Sequence, residues 1–153
     1  MSEQQGDPSV TRGAVVVGDD GSPDAARAVR WAHEDALRRG VPLVVIRAWA
    51  LTSAPRPATA DVGYVPSEDE FAEAVRAEMA ADLERVLGPN PAGVVHLLPV
   101  HSSASQALVH ASTDSAVTVV GARGSGLARW LGSVSTEVVR HAHGPVVVLP
   151  AIQ

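Results

Sequence analysis

Two short segments carry residue types that could hold a phosphorylated ligand. In the first, an apolar run, Val117-Thr118-Val119-Val120, ends on Gly121-Ala122-Arg123-Gly124 and leads to Gly132-Ser133-Val134-Ser135. Phosphate oxygens need several N–H donors converging on one point. Glycines permit this because they reach positive φ and carry no Cβ to block a ligand. A helix start adds N–H groups that lack intrahelical partners. Gly121 and Gly124 are therefore placed to bring backbone close to a ribose or phosphate. Gly132 and Ser133 can present N–H groups where the last helix begins. Ser133 and Ser135 add hydroxyl donors, and Arg123 and Arg129 add positive charge. The plainer alternative is that Gly121 ends a strand and Ser133 or Ser135 caps a helix.

The second segment is Asp19-Asp20-Gly21-Ser22, which follows the apolar stretch Val15-Val16-Val17. A carboxylate at a strand end can accept hydrogen bonds from ribose hydroxyls or hold Mg²⁺ beside a triphosphate. It can equally cap the turn into a helix. The histidines promise less. His141 and His143 flank Ala142 at the end of the last helix, where cations complement the helix dipole. No third ligand stands at matching spacing, so no metal site is expected. Trp31, Trp49 and Trp130 read as packing residues, with Trp49 near the proposed ligand edge.

Composition narrows the alternatives. The chain has 153 residues, 46% of them hydrophobic but only 3% aromatic. That length suits one domain with a sizeable core. Valine, alanine and leucine dominate, a mix that suits buried strands covered by alanine-rich helices. A net charge of −5 gives no electrostatic attraction to nucleic acid or to an anionic membrane surface. No apolar stretch is long enough to span a bilayer. Residues 1–12 are polar, lack the apolar segment of a signal peptide and read as a disordered tail before a domain at 13–153. The absence of cysteine excludes disulfides, thiol catalysis and thiolate-bound metal. Lysine is absent too, all twelve basic residues being arginine.

These sites need elements to position them, and the pattern predicts strands and helices in alternation. Strands are expected at 13–18, 43–49, 93–100, 117–121 and 146–149. The first helix starts with Ser22 as cap and Pro23 in the first turn, runs through Val29, Ala32, Ala36 and Leu37, and stops at Gly40. A loop rich in Pro, Ala and Thr spans 51–66. Ser67-Glu68-Asp69-Glu70 is a capping-box start to a long helix whose buried face is Ala72, Val75, Met79, Leu83 and Val86, ended by Gly88-Pro89. Shorter helices are expected near 105–113 and 134–142. This order predicts a single-domain α/β fold: an open five-stranded parallel sheet with helices on both faces and right-handed crossovers. Ligands in such sheets sit beyond the carboxyl ends of the strands where strand order reverses. Both candidate segments fall at strand carboxyl ends.

Taken together, the residues resemble the universal stress protein family over about 13–150. The resemblance rests on Val15-Val16-Val17-Gly18-Asp19-Asp20-Gly21-Ser22, Trp31-Ala32, the strand at 43–49, and Gly121 onward to Gly144-Pro145-Val146-Val147-Val148. It implies a Rossmann-like fold of the adenine nucleotide alpha hydrolase type. The ATP-binding branch of that family has the pattern G-x2-G-x9-G-[S/T]. The resemblance then implies that Asp20 contacts the nucleoside and that backbone near Ala48 reads adenine. It implies glycine-loop roles for Gly121 and Gly124, with neighbouring Arg123, and a phosphate-holding end formed by Gly132, Ser133, Val134 and Ser135. Seven residues separate Gly124 from Gly132, where the pattern has nine. Such a loop grips phosphates less completely or favours a shorter nucleotide. Asp19 stands where the family more often has an apolar residue, and its charge disfavours phosphate unless Mg²⁺ is present or the side chain turns away.

The implied protein is cytoplasmic and binds ATP with Mg²⁺, AMP or ADP being the alternatives. It acts in stress response by binding rather than turnover, since no general base is aligned on a nucleophile and no lysine clamps phosphate. A homodimer through Val146-Val147-Val148-Leu149 is also implied, that strand being an apolar edge that invites pairing. The all-arginine, alanine-rich usage fits a GC-rich bacterial genome. The competing function is a non-nucleotide dimeric interaction module of the same fold. Other nucleotide architectures fail on residues. A receiver domain needs a phosphorylatable aspartate after the third strand and a lysine after the fifth. A phosphate-binding P-loop also requires lysine, and Gly18-Asp19-Asp20-Gly21 is not the dinucleotide fingerprint.

Overall fold

The computed structural model describes residues 8–122 and 131–151. Along the chain lie α1 (Pro8–Thr11), β1 (Val15–Gly18), α2 (Pro23–Arg39), β2 (Leu43–Ala48), α3 (Glu68–Leu87), β3 (Val95–Val100), α4 (Ala104–Ala111), β4 (Val117–Gly121), α5 (Ser133–His141) and β5 (Val146–Leu149). The five strands form one sheet in the order β3-β2-β1-β4-β5, and every neighbouring pair is parallel. This is the fold expected from the alternation. The order reverses at β1, whose two neighbours are β2 and β4.

Valine-rich strands sit between two apolar layers because successive side chains alternate across the sheet. Val15, Val17, Leu43, Val45, Val117 and Val119 pack toward one face, with Ala28, Val29 and Ala32 of α2 and Val75 and Met79 of α3. Val16, Val44, Ile46 and Val120 pack toward the other, with Ala107, Leu108 and Ala111 of α4 and Val138 of α5. Each fully buried valine or leucine contributes roughly 1.5–3 kcal/mol, so the two clusters fix which face each helix covers.

Local signals set the helix ends. The Ser22 hydroxyl accepts from the Ala25 N–H, Pro23 opens α2, and Gly40 closes it in the left-handed region at φ 67°. Ser67 and Glu70 form a complete capping box on α3. The structure departs from expectation in four places. Residues 8–11 of the expected tail are helical, and the Thr11 hydroxyl is 2.7 Å from Asp114 Oδ1. Gly13 and Gly93 take φ 69° and 80°, which delays the first and third strands to Val15 and Val95. Leu37 is 45% exposed. Asp35 is buried beside it and paired with Arg39 at 2.7 Å, so helical geometry turned the polar residue inward.

Candidate functional site

Beyond the carboxyl ends of β1, β2 and β4 lies a cavity of about 330 Å³. That is within the range of about 300–1,000 Å³ for small-ligand sites. The β1–α2 turn contributes Gly18, Asp19, Asp20 and Ser22, with Ala25 from the first turn of α2. Ile46 and Ala48 come from β2, Ala104 and Leu108 from α4, and Val120 and Gly121 from β4. Gly132, Ser133, Val134 and Ser135 close the opposite side. The two segments singled out by residue type, about a hundred positions apart in sequence, therefore line one cavity at the point where strand order reverses. The lining mixes apolar side chains, Ile46, Leu108 and Val120 among them, with the polar residues of the two segments.

The N-terminus of α5 supplies the donors. Its cap, Gly132, has no side chain to satisfy the first turn, and no side-chain cap bond forms there. By contrast, Ser22, Ser67 and Ser103 cap α2, α3 and α4. The N–H groups of Ser133, Val134 and Ser135 have no intrahelical acceptors, and the helix dipole places partial positive charge among them. Two expected donors are used elsewhere. The Gly132 N–H goes to the Ala122 carbonyl at 2.7 Å. The Ser135 hydroxyl, on a residue 2% exposed, lies 2.9 Å from the Ala122 carbonyl oxygen and 3.0 Å from that of Gly132. Its one proton is shared between two backbone acceptors. The correction is that Gly132 and Ser135 brace the helix start, and the backbone of residues 133–135 is what can meet an anion.

Gly121 lines the cavity at the end of β4. Its φ is not positive, and it belongs to β4. A Cβ there would lie 3.4 Å from the Asp24 Cβ and carbonyl oxygen, so β4 and the start of α2 pack closely at this point. Arg123, Gly124, Arg129 and Trp130 lie outside the described residues.

The acidic turn divides its two carboxylates. Asp20 is exposed, lines the cavity and accepts the Ser22 N–H on Oδ1 at 2.9 Å. Asp19 is engaged on both oxygens, by the Gly21 N–H at 2.9 Å and by Arg47 Nη2 at 2.8 Å. Arg47 was missed in the sequence. It lies on β2 among Val44, Val45 and Ile46, is 9% exposed, and also meets Asp82 of α3 at 2.9 Å. The available signal was the lone cation in an apolar strand, because a buried guanidinium requires an acidic partner.

Trp49 follows β2 and packs in the core beneath this edge. It stacks on His101 at a centroid distance of 4.2 Å and on Phe71 at 6.0 Å. His101 Nδ1 is 2.5 Å from Glu68 Oε1. His141 and Glu137 pair one turn apart at the end of α5, 3.3 Å from each other. Among the described residues there is no cluster of three or more His, Asp or Glu side chains able to hold a metal. No helix among them is long and apolar enough to cross a membrane.

An open parallel sheet with an anion-ready helix start and a cavity at its switch point defines an α/β protein of the Rossmann-like class. The match to known sequences is more particular: the universal stress protein family profile covers residues 11–150, and the chain belongs to that family. A universal stress protein of Mycobacterium tuberculosis is 33% identical over 98% of this chain and 50% of its own length. The chain thus spans about half the length of the curated relatives it matches. Among solved structures, a universal stress protein in complex with cAMP superimposes with a TM-score of 0.64 at 23% identity, covering 92% of this chain and 98% of the other. The universal stress protein of Archaeoglobus fulgidus in complex with dAMP gives 0.56 at 23% identity, covering 90% and 98%.

Proposed function

We propose that this chain binds an adenine nucleotide in the cavity between residues 18–22 and 132–135, and that it acts in stress response by binding rather than turnover. The observation that carries this reading is the convergence of both segments on one cavity. The nucleoside lies toward Ala48 and Asp20, and the phosphates meet the backbone N–H groups of residues 133–135. Family members that hold cAMP and dAMP support the adenine nucleotide class. ATP is the proposed ligand, with AMP or ADP as alternatives. Mg²⁺ would be held by the phosphates and water, with Asp20 the carboxylate available at the cavity, since both Asp19 oxygens are engaged. The described lining contains no histidine or arginine, and its carboxylates sit in a turn, which supports slow or absent hydrolysis.

The test is titration calorimetry with ATP and Mg²⁺. Binding with micromolar to millimolar affinity supports the reading. No heat and no thermal shift at millimolar ATP would replace it with the interaction-module reading.

Dimerisation is part of the proposal. Among the described residues β5 pairs with β4 alone and forms a sheet edge, its four residues are half-buried, and Val139 of α5 is 50% exposed. An apolar edge with unpaired backbone groups invites a two-fold partner. Sedimentation should give a dimer at micromolar concentration, and a monomer would overturn this point.

A further inference from the structure

Asp19 is a wall residue of the cavity, yet its charge is held from behind. Arg47 grips residue 19 twice, through Nη2 to the carboxylate at 2.8 Å and through Nε to the backbone carbonyl at 3.0 Å. The two side chains are 11% and 10% exposed, so the pair is screened little by solvent. Arg47 is shared with Asp82 at 2.9 Å and Glu78 at 3.8 Å on α3. The turn lies over this group. Gly21 takes φ 82°, and a Cβ there would stand 3.7 Å from both Arg47 Nη2 and Asp82 Oδ2. The same guanidinium thus fixes the shape of the turn that presents Asp20 and offsets the charge of Asp19.

We propose that the buried Asp19–Arg47 pair sets how much phosphate charge the cavity accepts. The inference rests on the nucleotide reading and goes beyond it by assigning charge selectivity to a residue outside the cavity. With Arg47 present, the charge of Asp19 is offset and a polyphosphate meets one fewer uncompensated carboxylate. Without it, Asp19 repels every phosphate, and the penalty grows with phosphate number. Neutral adenosine does not feel this. Arg47 is a positioning residue through the turn and a charge-setting residue through Asp19.

The experiment compares adenosine, AMP and ATP on the full chain at fixed low ionic strength, by calorimetry. Its readout is the ratio of ATP to adenosine affinity, which a purely structural role leaves constant. Asp19→Asn should raise that ratio about three- to tenfold, as expected for one charge at about 10 Å in a partly screened site. Arg47→Met should lower it by a similar factor, and the double variant should return close to the natural protein. Arg47→Lys should preserve the ratio while weakening all three ligands, since it keeps the charge and loses the grip on the turn. If Arg47→Met does not fold, Asp19→Asn, which keeps the side chain's shape, carries the test with the opposite sign. An unchanged ratio in Asp19→Asn, or equal losses for adenosine and ATP that Asp19→Asn does not rescue, would overturn this inference while leaving the nucleotide reading intact. A natural protein that binds none of the three ligands would overturn both.

Discussion

The Gly132 N–H and the Ala122 carbonyl oxygen meet at 2.7 Å. The chain therefore leaves β4 and returns to the start of α5 at nearly the same point, and Ser135 adds a second bond to that carbonyl. A glycine loop two residues shorter than the family pattern was expected to grip phosphate less completely or to favour a shorter nucleotide. The closed base explains how α5 still begins at the cavity, because its first turn is tied to the end of β4 directly. The length of the excursion does not set that position.

This tie should be measurable. Among the described residues, Ser135→Ala removes the only hydroxyl on the Ala122 and Gly132 carbonyls, in a buried setting. The expected loss is about 1–2 kcal/mol of folding stability, read as a lower urea midpoint at unchanged m. No loss would show that the hydroxyl is not a brace.

Gly18 is the place where a methyl group would disturb the cavity more than the fold. A Cβ there would lie 2.8 Å from Leu108 Cδ1, and both residues line the cavity. Leu108 can yield because the contact is at the end of a flexible side chain. Gly18→Ala should cost about 1 kcal/mol in stability and about fivefold or more in nucleotide affinity. Stability lost without any change in affinity would contradict the placement of Leu108 in the site.

Trp49 is 3% exposed, and its Nε1 is buried without a hydrogen-bond partner among the described residues. Such a donor costs about 1–3 kcal/mol in desolvation. Trp49→Phe removes it while keeping an aromatic ring against His101 and Phe71. The lost area and the relieved donor should nearly cancel, giving a change within about 1 kcal/mol by chemical denaturation. A loss of 3 kcal/mol or more, typical of a large aromatic truncation, would contradict this balance.

The start of α3 carries a pH signature. The Ser67 backbone N–H, the largest cause, holds the Glu70 carboxyl below its usual range, with hydrogen bonds from Tyr64, Thr59 and the Ser67 side chain adding to it. The stabilisation is therefore complete above the unfolded pKa of Glu70 and disappears as pH falls through the lower folded value. Tyr64 shifts the other way, raised first by its hydrogen bond to Glu70. Its contribution is complete below the unfolded tyrosine pKa and disappears as pH rises through the folded value. Tyr64 is the only tyrosine in the chain, so phenolate absorbance reports it alone. The midpoint should lie above about 10 and fall in Glu70→Ala. A midpoint at or below 10 in the natural protein would contradict the contact.

The parts of the fold legible in the sequence were those set by neighbours in the chain. Val15, Val16 and Val17 announced a strand buried on both faces, and Ser22-Pro23 and Ser67 with Glu70 announced helix starts. These signals act over a few residues and do not wait for tertiary contacts. The cavity was legible as two strand ends, because the alternation of elements determines which ends share an edge. What could not be read was how side chains are spent once the chain closes. Ser135 looked like a ligand donor, but its hydroxyl meets the Gly132 carbonyl within its own turn and, once the chain returns, that of Ala122. Asp19 looked like a charge opposed to phosphate because Arg47 lies 28 positions away. Leu37 keeps the helical spacing of Val29, Ala32 and Ala36 yet is 45% exposed, because spacing cannot say how wide a stripe the sheet covers.

The most direct test of the central claim is an amide NMR titration of the labelled protein with ATP and Mg²⁺. The shared cavity predicts shifts in residues 18–22 and in residues 132–135 that saturate together with one affinity. Shifts confined to one of the two segments, or a response elsewhere with both silent, would contradict it.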